Sequence, residues 1–105
     1  MPMNPIAIMK TICHLNPDAL FVDGFDSALI GCSYRGPAGR TVAVYDRDKC
    51  IDLIIEQDNL PYTDAVEHFE YNIESAHVGK SAPLFVTVFG SEIEVIFDML
   101  DEEDE

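Results

Sequence analysis

Cys50, Ile51, Leu53, Ile54 and Ile55 crowd into six consecutive positions, and as a helix they would cover roughly 200° of its circumference. A helix with so wide an apolar arc must be packed on more than one side. The rest of the chain therefore has to supply at least one covering layer. Asp46 is placed to cap this helix, predicted over 46–57, by accepting hydrogen bonds from its first free N–H groups. The remaining strip carries Asp48, Asp52 and Glu56, like charges one turn apart, which oppose helix formation slightly. Folding alone does not call for that pattern. Asp58-Asn59-Leu60-Pro61 reads as a turn, and residues 62–77 as a second helix with a narrower stripe of Tyr62, Val66, Phe69, Ile73 and Ala76. Glu67, Glu70 and Glu74 line another face of it, Asp64 sits in its first turn and His77 in its last, both as the helix dipole favours. Gly79 is placed to end it.

The covering layer is legible on either side of this helical pair. Asn4-Pro5 is a cap followed by a proline at the first helical position, and Ile8, Met9, Ile12 and Leu15 follow at helical spacing before Asn16-Pro17. This predicts a helix over 5–14. The alternation of Ala28, Ile30, Cys32 and Tyr34 predicts a strand over 27–34 with those four side chains facing inward. Its partner is 40–45, across the loop Arg35-Gly36-Pro37-Ala38-Gly39. Residues 84–89 supply a third strand. Ser91-Glu92-Ile93-Glu94 is a capping box with Ile96, Phe97 and Leu100 at helical spacing, predicting a C-terminal helix over 91–100, with a hairpin about Gly90 as the alternative. The expected fold class is α+β: one domain over 1–100, a small antiparallel sheet of about three strands packed against a helical hairpin, with flanking N- and C-terminal helices. Residues 101–105 are a pure acidic run, expected to be a disordered tail.

Charge decides which partners suit this chain. Twenty Asp and Glu stand against six Lys and Arg, a formal net charge of −14 in 105 residues. Such a chain repels nucleic acid and anionic membrane and attracts basic proteins. Direct nucleic-acid binding and membrane binding are therefore not expected. Cys13, Cys32 and Cys50 are odd in number and lack a CxxC spacing, which suggests core residues in a reducing, cytoplasmic setting and no cofactor or metal centre. No secretory leader and no apolar run of about 20 residues is evident.

Several segments together are distinctive: Asp23-Gly24-Phe25-Asp26-Ser27-Ala28-Leu29-Ile30-Gly31, then Val44-Tyr45-Asp46-Arg47-Asp48-Lys49-Cys50-Ile51, then His68-Phe69-Glu70-Tyr71-Asn72, with Val78-Gly79 and Pro83-Leu84-Phe85 beyond. Over roughly residues 20–86 the chain resembles a family of small bacteriophage and prophage proteins with no established function. The resemblance implies a mobile-element origin and a cytoplasmic setting. It implies no activity.

The two carboxylate stripes, Asp48/Asp52/Glu56 and Glu67/Glu70/Glu74, together with Asp101, Glu102 and Glu103 of the tail, are the main candidate binding residues. They suit a basic, nucleic-acid-handling protein, whose groove an array of carboxylates would occupy as a mimic of a phosphate backbone; the bland alternative is a solvated helix face. A weaker candidate is His68 with Asp64, a His–carboxylate pair able to act as a base or metal ligand, although no second ligand stands at metal spacing. Cys13-His14 and the Asp23/Asp26 turn read as local structure, and the Arg35–Arg40 loop lacks the P-loop pattern. The rival to a binding module is an oligomeric assembly protein, which would leave an uncovered apolar surface, most naturally on the wide-arced helix 46–57. A small enzyme using His68 is the third reading.

Overall fold

Asn4 begins the fold by accepting the Ile6 N–H on its side chain at 2.7 Å. With Pro5 fixing the first helical φ, helix α1 runs Pro5–Leu15 and buries Ile8 and Ile12. The computed structural model describes residues 4–89; the expected helix over 91–100 and the acidic tail lie outside them. A single 3₁₀ turn, Asp26–Ala28, leads into strand β1 (Leu29–Ser33), and β2 (Val42–Asp46), α2 (Arg47–Asp58), α3 (Tyr62–Phe69) and β3 (Leu84–Val86) follow. The fold is α+β, as the sequence predicts.

The sheet order is β1-β2-β3. β2 lies in the middle, and its side chains are shielded on both faces. It pairs antiparallel with β1, as expected, but parallel with β3. The sheet is therefore mixed, not wholly antiparallel. The cause lies in the connection: α2, α3 and the loop 75–83 form a crossover long enough to bring the chain back to the end where β2 begins, which a hairpin cannot do. Leu29, Cys32, Ala43, Tyr45 and Phe85 share the sheet face that packs on the helices.

Two expectations about side-chain direction are corrected. β1 carries a bulge between Leu29 and Gly31, and one extra residue reverses the alternation beyond it. Ahead of the bulge Leu29 is therefore buried and Ile30 is 46% exposed, the reverse of the prediction, while beyond it Cys32 packs on the core as predicted. Tyr34, past the end of the strand, is 69% exposed. The second helix is also shorter than 62–77. It is α-helical only to Phe69 and continues as a π-helical turn over Glu70–Glu74, closed by the Ser75 N–H donating to the Glu70 carbonyl at 3.1 Å. The Ser75 hydroxyl donates to the same carbonyl, giving the wide turn a local reason. Phe69 and Ile73 stay buried, Ala65 joins them, and Tyr62 and Ala76 face solvent.

α2 follows the sequence closely. The Asp46 carboxylate accepts the Lys49 N–H at 3.2 Å, and Asn59, with φ of 55°, forms the left-handed cap that ends the helix. Cys50, Ile51 and Ile54 are buried, and Leu53 and Ile55 pack against the same core. The wide arc is thus covered within the chain, and the apolar surface expected there for an assembly partner is not exposed. The hairpin loop needs Gly36, since a Cβ there would lie 3.0 Å from Val42 Cγ2. At the centre of the core the Tyr45 hydroxyl accepts the Val22 N–H at 2.9 Å, which ties the irregular segment 17–25 to the sheet. Burial raises the Tyr45 pKa, so the phenol stays neutral.

Candidate functional site

The helical pair that carries the two stripes is clasped by one residue. Arg47, in the first turn of α2, donates to Glu70 at 3.0 Å and holds its guanidinium carbon 5.4 Å from the centre of the Phe69 ring. That contact sets the start of α2 beside the end of α3, so the helices run antiparallel and present their polar faces on one body. Asp48, Asp52 and Glu56 are all exposed, as are Glu67, Glu70 and Glu74. Of these six, only Glu70 has a basic partner among the described residues; the other five carboxylates face solvent without one. The π turn shifts Glu74 off the line a continuous α-helix would have kept. Asp101, Glu102 and Glu103 lie outside the described residues.

The weaker pair is not assembled. Asp64 is exposed and forms no hydrogen bond with His68 among the described residues. The His68 Nδ1 instead lies 3.2 Å from the Asn72 side-chain nitrogen, one turn along. No group of three or more His, Cys, Asp or Glu side chains among the described residues could hold a metal ion, Cys13-His14 and Asp23/Asp26 included. No described helix is long and apolar enough to cross a membrane.

A second feature was not anticipated. Pro5, Ile8, Thr11 and Ile12 of α1 and Ser27, Leu29–Cys32 and Tyr34 line a groove of about 600 Å³. A sequence signal for it exists: all twenty carboxylates fall outside residues 1–17 and 27–45, the two segments that build the groove. Periodicity does not show it, because the groove depends on which strand lies at the sheet edge.

Cys50 is fully buried, and desolvation, reinforced by Asp46, pushes its thiol up to about 12. It is protonated and shielded at neutral pH, whereas Cys13 is exposed. A thiol reagent at pH 8 is expected to modify Cys13 in the native protein and Cys50 only after denaturant is added. Peptide mass spectrometry reads the difference; prompt native labelling of Cys50 would contradict its placement.

No family model, curated protein or solved structure matches the chain.

Proposed function

We propose that the chain is a non-enzymatic protein-binding module whose α2–α3 face docks on the basic surface of a nucleic-acid-handling protein. The observation that carries this reading is the set of five exposed carboxylates, Asp48, Asp52, Glu56, Glu67 and Glu74, which have no basic partner among the described residues. Like charges one turn apart oppose helix formation slightly, so folding alone does not call for the pattern, and a basic partner would offset the repulsion. A rigid support favours the same reading: Arg47 locks the two helices through Phe69 and Glu70, so the charges need not be ordered on binding. The tail carboxylates extend the array in sequence. The phage-type resemblance rests on the quoted segments alone, and a charge-driven inhibitor of a host or viral DNA- or RNA-binding protein is compatible with it.

The test has two steps. Affinity capture from a host lysate at low salt is expected to return a basic DNA- or RNA-binding protein, released at high salt because exposed charges are screened. The purified chain should then displace nucleic acid from that protein. The variant Asp52→Lys/Glu56→Lys/Glu67→Lys, altered only at exposed positions, should lose at least tenfold in competition. Undiminished competition by the triple variant would reject the acidic face as the binding surface.

A further inference from the structure

We propose that the groove between α1 and β1 receives a second copy of this chain, the two β1 strands meeting antiparallel across a two-fold axis. None of the residues lining the groove belongs to α2 or α3, so such a pair leaves the acidic face free, whatever binds there.

The groove follows a free edge of the sheet. Leu29, Ile30, Gly31 and Cys32 all line it, although successive residues of a strand point to opposite faces. Consecutive residues can line one groove only where it runs along the strand's edge. β1 is an edge strand among the described residues. Beyond its ladder with β2, the backbone of residues 31–33 forms no backbone hydrogen bond among them. Such an edge is a template for another strand. The bulge between Leu29 and Gly31 confines regular pairing to 31–33, and the exposed Ile30 and Tyr34 supply apolar surface beside it.

Charge selects the occupant. Two chains that each carry −14 repel one another over most of their surface. The lining of the groove is wholly uncharged, so two copies approach there with little repulsion. The charged residues that flank it are ordered along β1. Asp26 directly precedes Ser27 at one end, and Arg35 directly follows Tyr34 at the other. Both are exposed, and neither has an ionic partner among the described residues. Lys10 lies at the Arg35 end. A two-fold axis reverses this order in the second copy, so each Arg35 comes to the Asp26 end of the other strand. An isologous contact makes the match twice. Other occupants lack it. Residues 90–105 carry eight carboxylates (Glu92, Glu94, Asp98 and the five of 101–105) and no Lys or Arg, so they would set like charge against Asp26. A foreign strand would need the same inverted order, which a second copy has by symmetry.

The test is sedimentation of the full chain at about 150 mM salt, where exposed charges more than about 8 Å apart are largely screened. A reversible monomer–dimer equilibrium at micromolar concentration is expected. Ile30→Glu should leave monomer alone. Asp26→Arg and Arg35→Asp, both at exposed positions, should each weaken self-association by about tenfold or more, because two matched pairs become two repelling ones. Mixed together, these two variants should recover a heterodimer of nearly wild-type affinity, since each supplies the charge the other has lost. Their circular dichroism spectra should match that of wild type. Amide protection at residues 31–33 should rise with chain concentration. The proposal is overturned if the chain stays monomeric, if Ile30→Glu still dimerises, or if the mixture associates no better than either variant alone. Protection of 31–33 that is complete at every concentration would also overturn it, in favour of this chain's own residues 90–105 on the edge.

Discussion

Replacing Phe69 with alanine is expected to cost about 3–5 kcal/mol of folding free energy, the range for emptying a large aromatic site in a core that relaxes only partly. Phe69 is fully buried, and three layers meet on its ring. Phe85 of β3 stands edge-on to it, with centroids 5.1 Å apart and planes at 88°, an arrangement that adds to the apolar burial. Phe85 in turn lies 5.7 Å from Tyr45 in the central strand. On the outer side Arg47 caps the ring and then reaches Glu70. Truncation therefore removes a helix–sheet contact, opens a cavity and frees the clasp between α2 and α3 together. A domain of this size has roughly 5–15 kcal/mol in all, so the variant should unfold at a markedly lower urea concentration with a similar slope. Phe69→Leu refills part of the space and should lose distinctly less. A loss below about 1 kcal/mol for the alanine variant would mean that the ring is not the junction described.

This junction also shows what the sequence could and could not disclose. Phe69 and Ile73 were legible as core because they lie four residues apart in an amphipathic pattern. The caps at Asn4 and Asp46 were legible because capping is local chemistry, read within three or four residues, whereas Asn59 was read only as part of a turn and its left-handed cap came from the structure. The π turn after Phe69 was not, since a pattern of side chains does not record which carbonyl each N–H chooses. The direction of β3 was hidden for a related reason: Leu84-Phe85-Val86 would look the same in either orientation, and only the crossover decides. One bulged residue, Ile30, turned outward and left Leu29 inside, against the predicted alternation, while Cys32 beyond it kept the predicted inward face. At the candidate site, the exposure of the stripes followed from the same helical periodicity that buried Ile51 and Ile54. The clasp of Arg47 on Glu70, 23 residues away, and the groove beside β1 required the tertiary arrangement.

Asn16 is the most consequential residue that the sequence left unread, and Asn16→Asp is expected to cost about 3 kcal/mol or more at neutral pH, since it sets a charge against a carbonyl in a buried site. Its side chain is 6% exposed and joins three segments distant in sequence. The amide nitrogen donates to the Thr41 carbonyl at 2.8 Å and to the Ser81 hydroxyl at 3.2 Å, while the amide oxygen accepts the Asp18 N–H at 3.1 Å. The residue thereby fastens the end of α1 to the approach to β2 and to the loop that delivers β3. A carboxylate keeps the last of these bonds but opposes the first, since both Thr41 and the new group then present only acceptors. A protonated carboxyl can donate to Thr41 again, so the folded protein favours the protonated form and raises the introduced group above its usual value near 3.9. The sign follows: the variant's stability is fully present below the unfolded pKa and is lost as pH rises through the folded one. Urea midpoints between pH 4 and pH 8 should show the deficit of Asn16→Asp, relative to wild type, shrinking on acidification. Asn16→Ala, with no group to titrate, should keep a nearly constant deficit of about 1–3 kcal/mol. If the two variants follow the same pH course, the Asn16 amide does not donate to Thr41. The parallel entry of β3 would then need another anchor.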